Sequence, residues 1–293
     1  MSISADQVKT LRSRTGAGMM ECKKALQKAD GDLEQAAADM RREGLAKADR
    51  KADRVAAEGR ISIAQSADNQ HAVLLEVNCE TDFVAKNPDF VDFTDRVAQV
   101  ALAETPADVD ALAALTIEDE AIDQKRRALI ATLGENITIR RFRHFVANDA
   151  HIGVYSHGAR IASAVVITGA DGDMARDLAM HVAAQAPAYR SIDDVPSDVR
   201  ETERENLVAQ AQESGKSDDI IQKMVEGRLN KYLGEITLLG QPFVKDPDKT
   251  VSALLDEAGA QVTECGRLEV GEGIETESQD FAAEVKAQAE GSG

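Results

Sequence analysis

Cysteine is scarce in this chain of 293 residues: Cys22, Cys79 and Cys265 stand far apart, are odd in number and show no C-x-x-C spacing. That excludes a disulfide framework and a zinc site, and leaves buried thiols in a reducing compartment as the reading. Long apolar runs are missing too. No stretch approaches the roughly 18 residues of a membrane helix, and the N-terminal MSISADQVKTLRSR has no apolar signal core, so a cytoplasmic protein is expected. Positive charge is in deficit, with 34 basic against 52 acidic side chains and a formal net charge of −18. Such a surface repels nucleic-acid phosphates and anionic lipid, so neither direct nucleic-acid binding nor a membrane surface is expected. The best candidate for a local basic patch is the run Lys47, Arg50, Lys51 and Arg54.

Catalytic signatures are equally sparse. The histidines (His71, His144, His151, His157 and His181) form no HExxH or i, i+4 pair and stand beside no Cys or carboxylate in a ligand spacing, so no metal is expected. Gly16-Ala17-Gly18 lacks both the GxxxxGK[ST] pattern and a preceding strand, so a short helix connection explains it better than a phosphate loop. There is no G-x-S-x-G elbow, and the carboxylates spread over helix faces where solvation accounts for them. An enzyme reading therefore has no anchor, and no cofactor is expected.

What is present is a hydrophobic fraction of 43%, enough for one large domain or a few small ones with real cores. Ser4 with Gln7 three residues on reads as a capping box opening a helix with Val8 and Leu11 inward, stopped at Thr15–Gly18. A second helix starts near Met19 and stops at Gly31; a third runs from about Leu33 to Arg42. Such a bundle buries little, so it is expected to be loosely joined through the polar stretch Ala46–Gly59. From Arg60 the period changes to that of a β-hairpin, with Ile61 and Ile63, a turn at Ala67–Gln70, and His71–Asn78. Pro88 opens a helix carrying Phe90, Phe93, Val97 and Val100.

Further strand patterns lie around Ile137, Ile139 and Phe145, at Val154–Tyr155 and at Arg160–Gly169, with a helix from about Asp173 to Ala186. Phe142–Ile152 looks irregular. Both halves thus run hairpin then helix, an internal duplication. Pro196 to Tyr232 reads as a projecting helical hairpin broken at Glu213-Ser214-Gly215. Glu235–Leu239 and Arg267–Val270 look like strands around a helix at Val251–Ala258, and Phe281–Ala287 like a last amphipathic helix. The fold class is α+β, divided into a three-helix module (1–54), a first core part (55–140), a second core part (141–275) with the hairpin inserted at about 190–232, and a C-terminal module (276–293).

Two segments, Leu11-Arg12-Ser13-Arg14-Thr15-Gly16-Ala17-Gly18-Met19-Met20-Glu21-Cys22-Lys23-Lys24-Ala25-Leu26 and Glu76-Val77-Asn78-Cys79-Glu80-Thr81-Asp82-Phe83-Val84-Ala85-Lys86-Asn87, closely resemble the elongation factor Ts family. Leu133–Ile137, Ser156–Arg160, Lys223–Arg228, Gln241–Val244 and Phe281–Val285 extend the resemblance over essentially the whole chain. It implies a ubiquitin-associated-like helical module, a two-part core and a projecting coiled coil. It also implies a function: guanine nucleotide exchange in translation elongation, by binding elongation factor Tu and releasing its GDP without bond chemistry. A homodimer or a two-to-two complex with that partner stays open.

The resemblance assigns Thr81, Asp82, Phe83 and Val84 to the segment that wedges beside the partner's magnesium site. By residue type alone Phe83 reads as core and Asp82 as a helix N-terminal carboxylate, and it is the family match that turns Phe83 outward as a hot spot. Arg12, Met19, Met20 and Lys23 match the N-terminal docking face, against the alternative of a methionine-filled helix core. Leu133, His157 and Val244 match further core contacts, where ordinary packing is the default. Two rival functions remain: a scaffold without exchange activity, and a small-molecule enzyme using Gly16–Gly18.

Overall fold

The structure, a computed structural model, describes residues 3–213 and 217–275. The expected helix at Phe281–Ala287, the module 276–293 and the break at Ser214-Gly215 lie outside the described residues, as does the Lys47 side chain.

Three helices open the chain: α1 (Ala5–Thr15), α2 (Met19–Lys28) and α3 (Leu33–Asp49). The capping box forms as read, with the Gln7 amide donating to Ser4 Oγ at 3.2 Å and the Ser4 amide to Gln7 Oε1 at 2.9 Å. Val8, Leu11, Cys22, Leu26 and Ala36 fill the bundle core. Helix α3 runs 17 residues, past the expected stop at Arg42. Its second half is polar in composition yet packs on α7 (Ile122–Leu133), where Ala48 is buried in the neighbouring core and Arg127 pairs with Asp49 at 3.0 Å. Tertiary packing overrides the composition signal there, so the expected loose joint shrinks to residues 50–57.

Next come β1 (Glu58–Gln65), β2 (His71–Cys79), α4 (Asp82–Ala85), α5 (Pro88–Glu104), α6 (Val109–Ala114), the small hairpin β3 (Thr116–Ile117) and β4 (Glu120–Ala121), then α7 and β5 (Ile137–Val146). A second series follows: β6 (His151–His157), β7 (Ile161–Thr168), α8 (Gly172–Gln185), α9 (Ser197–Gln212), α10 (Asp218–Ile236), the small hairpin β8 (Pro242–Phe243) and β9 (Asp246–Thr250), α11 (Val251–Ala258) and β10 (Gln261–Glu269). The stretch read as irregular is the regular end of β5, a turn at 147–150 and the start of β6.

Each series builds an antiparallel three-stranded sheet in the same order, β1-β2-β5 and β6-β7-β10, with the hairpin's second strand in the middle. Each places a long helix after the hairpin and a small hairpin plus helix before its last strand, so the duplication extends through the topology. The helical hairpin α9–α10 enters the second series where α6 sits in the first. Its seam of Leu207, Ala211, Ile221, Val225, Leu229 and Leu233 is its own. Glu235–Leu239 is not a strand: the seam continues through Leu233 and Ile236, α10 runs to Ile236, and Leu238–Gly240 is a single tight turn. So short an apolar run does not distinguish the two periods.

The sheets lie face to face between two helical layers. Along β2, Val73, Leu75, Val77 and Cys79 meet α5 and α7, while Ala72 and Leu74 meet Ala162, Ala164 and Val166 of β7. Alternate residues of β7, Val165 and Ile167, meet α8 and α11. Both central strands are therefore buried on both faces, which explains their nearly continuous apolar runs. On the outer side, Gly153 of β6 lets α8 approach so closely that a Cβ would lie 2.1 Å from the Ala175 carbonyl carbon.

One buried charge sits in this arrangement. Glu76 of β2 points between the sheets, fully buried, and accepts hydrogen bonds from Arg141 Nε (2.6 Å), Arg140 Nη1 (3.0 Å), Asn78 Nδ2 (3.0 Å) and the Gly271 amide (2.8 Å). A bulge makes the double arginine contact available: Glu76 opposes Arg141 and Val77 opposes Ile139, leaving Arg140 as the extra residue. Burial works to raise the Glu76 carboxyl, but the Gly271 amide and Arg141 outweigh it and hold it below the ordinary carboxylate value. Removing one partner of such a group leaves the others buried and unmatched. Glu76→Ala is expected to lower stability by about 3–5 kcal/mol in urea unfolding, with Glu76→Gln falling between it and the unmutated chain.

Candidate functional site

Strand β2 ends at Cys79, and the chain then turns outward. Thr81 caps α4, its Oγ1 accepting from the Val84 amide at 3.4 Å, and Asn87 caps α5 through the Asp89 amide at 2.9 Å with Pro88 in the first turn. Between these caps α4 is only 4 residues long. Successive helical residues point about 100° apart. Val84 accordingly enters the core under α5, and Phe83 turns to solvent with 81% of its surface exposed. The core reading of Phe83 is thereby excluded. Asp82 is exposed beside it and pairs with Lys86 at 2.6 Å, a contact that holds its carboxyl below the usual range. An exposed i, i+4 pair of this kind opens readily when a partner offers another contact.

Beneath the knuckle lies the turn from α7 to β5. Gly134 closes α7 at φ +82°, a left-handed conformation that suits glycine. The next two residues then face β2: Glu135 accepts from the Glu80 and Thr81 amides and the Thr81 hydroxyl, while the Asn136 amide donates to Glu80. Cys79 sits among these groups, and burial, followed by the Glu135 charge, pushes its thiol up to about 12. It is a structural thiol, not a nucleophile.

On α2, Met19 and Met20 are 57% and 65% exposed, which excludes the methionine-core reading. Lys23, also exposed, neighbours both at helical spacings of four and three. Arg12 is exposed on α1. The third group divides. Leu133 is half-buried against the first core and Val244 half-buried against the second, while His157 is exposed at the end of β6 with its ring stacked 6.5 Å from Tyr155. Among the described residues, the hydrogen bonds and ion pairs unite Thr81 with the turn after Leu133 but join neither to Arg12, Met20, His157 or Val244.

Two organising residues escaped the sequence reading. Glu135 lies within the family-like Leu133–Ile137 stretch, yet only its contact with an element 54 residues away reveals its use. His181 was set aside for lack of a ligand spacing. It is fully buried in α8 and accepts from the Val244 amide through Nδ1 at 3.1 Å, so Nε2 carries the proton and donates to Gln241 Oε1 at 3.0 Å. The Gln241 amide group in turn donates to the Glu235 carbonyl at 2.8 Å. This chain of bonds fixes the Gln241–Val244 turn.

Burial pushes His181 below its ordinary value of 6.5, against a smaller upward pull from Gln241. The unfolded chain then binds more protons than the folded one below 6.5. Stability from the neutral ring is thus complete above that value and drains away as pH falls toward the lower folded one. His144, lowered by burial and by His71, adds to the same slope. The urea midpoint should fall between about pH 7 and about pH 5.5, and less steeply in His181→Asn, whose overall midpoint is lower.

No described helix is long and apolar enough to cross a membrane. Residues 80–272 match the profile of the family described as Elongation factor TS. Similarity to curated proteins covers nearly everything. The chain is 56% identical over 288 residues to Elongation factor Ts of Halorhodospira halophila, spanning 98% of this chain and 99% of that one. It is 53% identical over 292 residues to that of Thioalkalivibrio sulfidiphilus, spanning 99% and 100%, and 54% identical over 289 residues to that of Methylococcus capsulatus, spanning 98% and 99%. With the profile covering well over half of the chain, the relatives covering nearly all of it, and the same name on each relative, this chain belongs to the elongation factor Ts family of translation elongation factors.

Proposed function

We propose that the chain is a guanine nucleotide exchange factor acting on elongation factor Tu: it binds the GDP form, promotes GDP release and lets GTP enter. The observation that carries this reading is Phe83, a large apolar side chain held 81% exposed on a short helix braced from below. A buried aromatic anchor is the usual form of an interface hot spot, and a solvent-facing Phe on a rigid knuckle is disposed to become one.

Exchange needs no covalent step, so the protein is not an enzyme of bond chemistry. The factor must hold nucleotide-free partner more tightly than the GDP form; by reciprocity GDP weakens the factor to the same extent. In this reading Phe83, flanked by Asp82 and anchored through Thr81 and Val84, displaces partner helices and disturbs its magnesium and phosphate loop. Arg12, Met19, Met20 and Lys23 supply a separate docking face, with two cations for acidic partner groups and flexible methionines for adaptable contact. Leu133, His157 and Val244 add core contacts. The divisions 1–54, 55–140 and 141–275, with 276–293 beyond, serve as the units of docking, and the cytoplasm as the compartment.

Release of fluorescent GDP from purified elongation factor Tu, in excess unlabelled nucleotide, tests the reading. The rate should rise with added protein. Phe83→Ala should cut the saturating rate about tenfold or more while changing stability by less than about 0.5 kcal/mol, as for an exposed residue. An unaltered release rate despite demonstrated binding would leave a scaffold without exchange activity.

A further inference from the structure

Helix α4 is too short to hold its own direction, since one turn supplies almost no internal hydrogen bonding to offset the cost of nucleation. Its aim is inherited from its cap, and the cap is held by Glu135. One carboxylate oxygen accepts the Glu80 and Thr81 amides at 3.1 and 2.9 Å; the other accepts the Thr81 hydroxyl at 2.6 Å. That same hydroxyl oxygen caps Val84 at 3.4 Å, so Glu135 acts on the atom that starts the helix. Among the described residues Glu135 pairs with no cation; its carboxylate is used wholly on the wedge's base.

The grip is reciprocal. The Glu80 carboxylate accepts the Asn136 amide at 2.6 Å, and the buried Asn136 side chain donates to the carbonyls of Ala52 (3.2 Å) and Arg54 (2.8 Å). The turn carrying Glu135 is therefore itself fixed, between the end of β2 and the segment that leads out of α3. Hydrogen bonds to a charged acceptor are stronger than neutral ones, and three converge here.

Resting on the exchange reading above, we propose that Glu135 is a positioning residue for nucleotide release: it sets the angle at which Phe83 enters the GTPase. A wedge displaces its target only if it does not yield. A loosened α4 must be ordered again at the moment of displacement, and that cost falls on the release step rather than on docking through α2. Loss of Glu135 thus lowers the saturating rate of GDP release and leaves the half-saturating concentration of factor in place.

The test titrates the full chain into elongation factor Tu carrying fluorescent GDP and reads both quantities. Glu135→Ala should lower the saturating rate about tenfold, the scale expected for losing a set of charge-assisted bonds, at an unchanged half-saturating concentration. Glu135→Gln retains one acceptor oxygen for the two amides and should fall between; it also decides the matter if the alanine variant does not fold. Added to Phe83→Ala, Glu135→Gln should cost nothing more, because both act through one element. A folded Glu135→Gln variant releasing GDP at the unmutated saturating rate would overturn the assignment. So would a loss confined to the half-saturating concentration, or losses that multiply in the double variant. If the unmutated chain fails to accelerate release, the exchange reading itself falls and takes this one with it.

Discussion

Two three-stranded sheets press their inner faces together, and the rest of the molecule depends on that contact. The strand in the middle of each sheet must then be apolar on both faces, and β2 and β7 are. Small residues make the approach possible: Ala72 meets Ala162 and Ala164 across the interface. Helices close the outer faces, so each half gains its second core only because the other half supplies the first. Glu76 is the buried charge inside, and its bonds to Arg140, Arg141 and the Gly271 amide fasten the segment after β10 to the first sheet.

A frame of that stiffness gives the knuckle after β2 a fixed origin. Cys79 is the last residue of a strand paired on both sides, and Thr81 already stands outside it. Everything that orients Phe83 lies within that short distance: the strand end, the cap hydroxyl and the carboxylate from the α7–β5 turn. The exposed Met19 and Met20 face of α2 has a different support, a small bundle whose long third helix lies along α7. The α7–β5 turn, held by Asn136 to residues 52 and 54, is where the two supports meet.

Much of this was legible. The capping box at Ser4, the helix stop at Gly16, the apolar alternation of the first hairpin and the helical stripe opened by Pro88 are local signals, and local signals survive translation into structure. The family-like motif singled out Asp82 and Phe83 for a proposed wedge, and the geometry excludes burial of Phe83. What failed was non-local. The polar second half of α3 is helical because α7 waits beneath it. Ile137, Ile139 and Phe145 share a parity, yet the bulge at Arg140 sends Phe145 to the opposite face. Glu235–Leu239 was too short to declare its period. Glu135 and His181 carry no pattern at all, because each is defined by partners more than 50 residues away in sequence.

The repeated topology carries a consequence of its own. From β2 the first series reaches its long helix by way of α4; from β7 the second series does so through the bare link Gly169-Ala170-Asp171. After that helix the positions reverse, and the second series gains a pair of long helices where the first has a single short one. The sheets and their covering helices thus form a chassis built twice, and the two copies differ in their connections, at a different joint in each. Because the α9–α10 pair closes an apolar seam of its own, the second copy carries that attachment without drawing on the packing between the sheets.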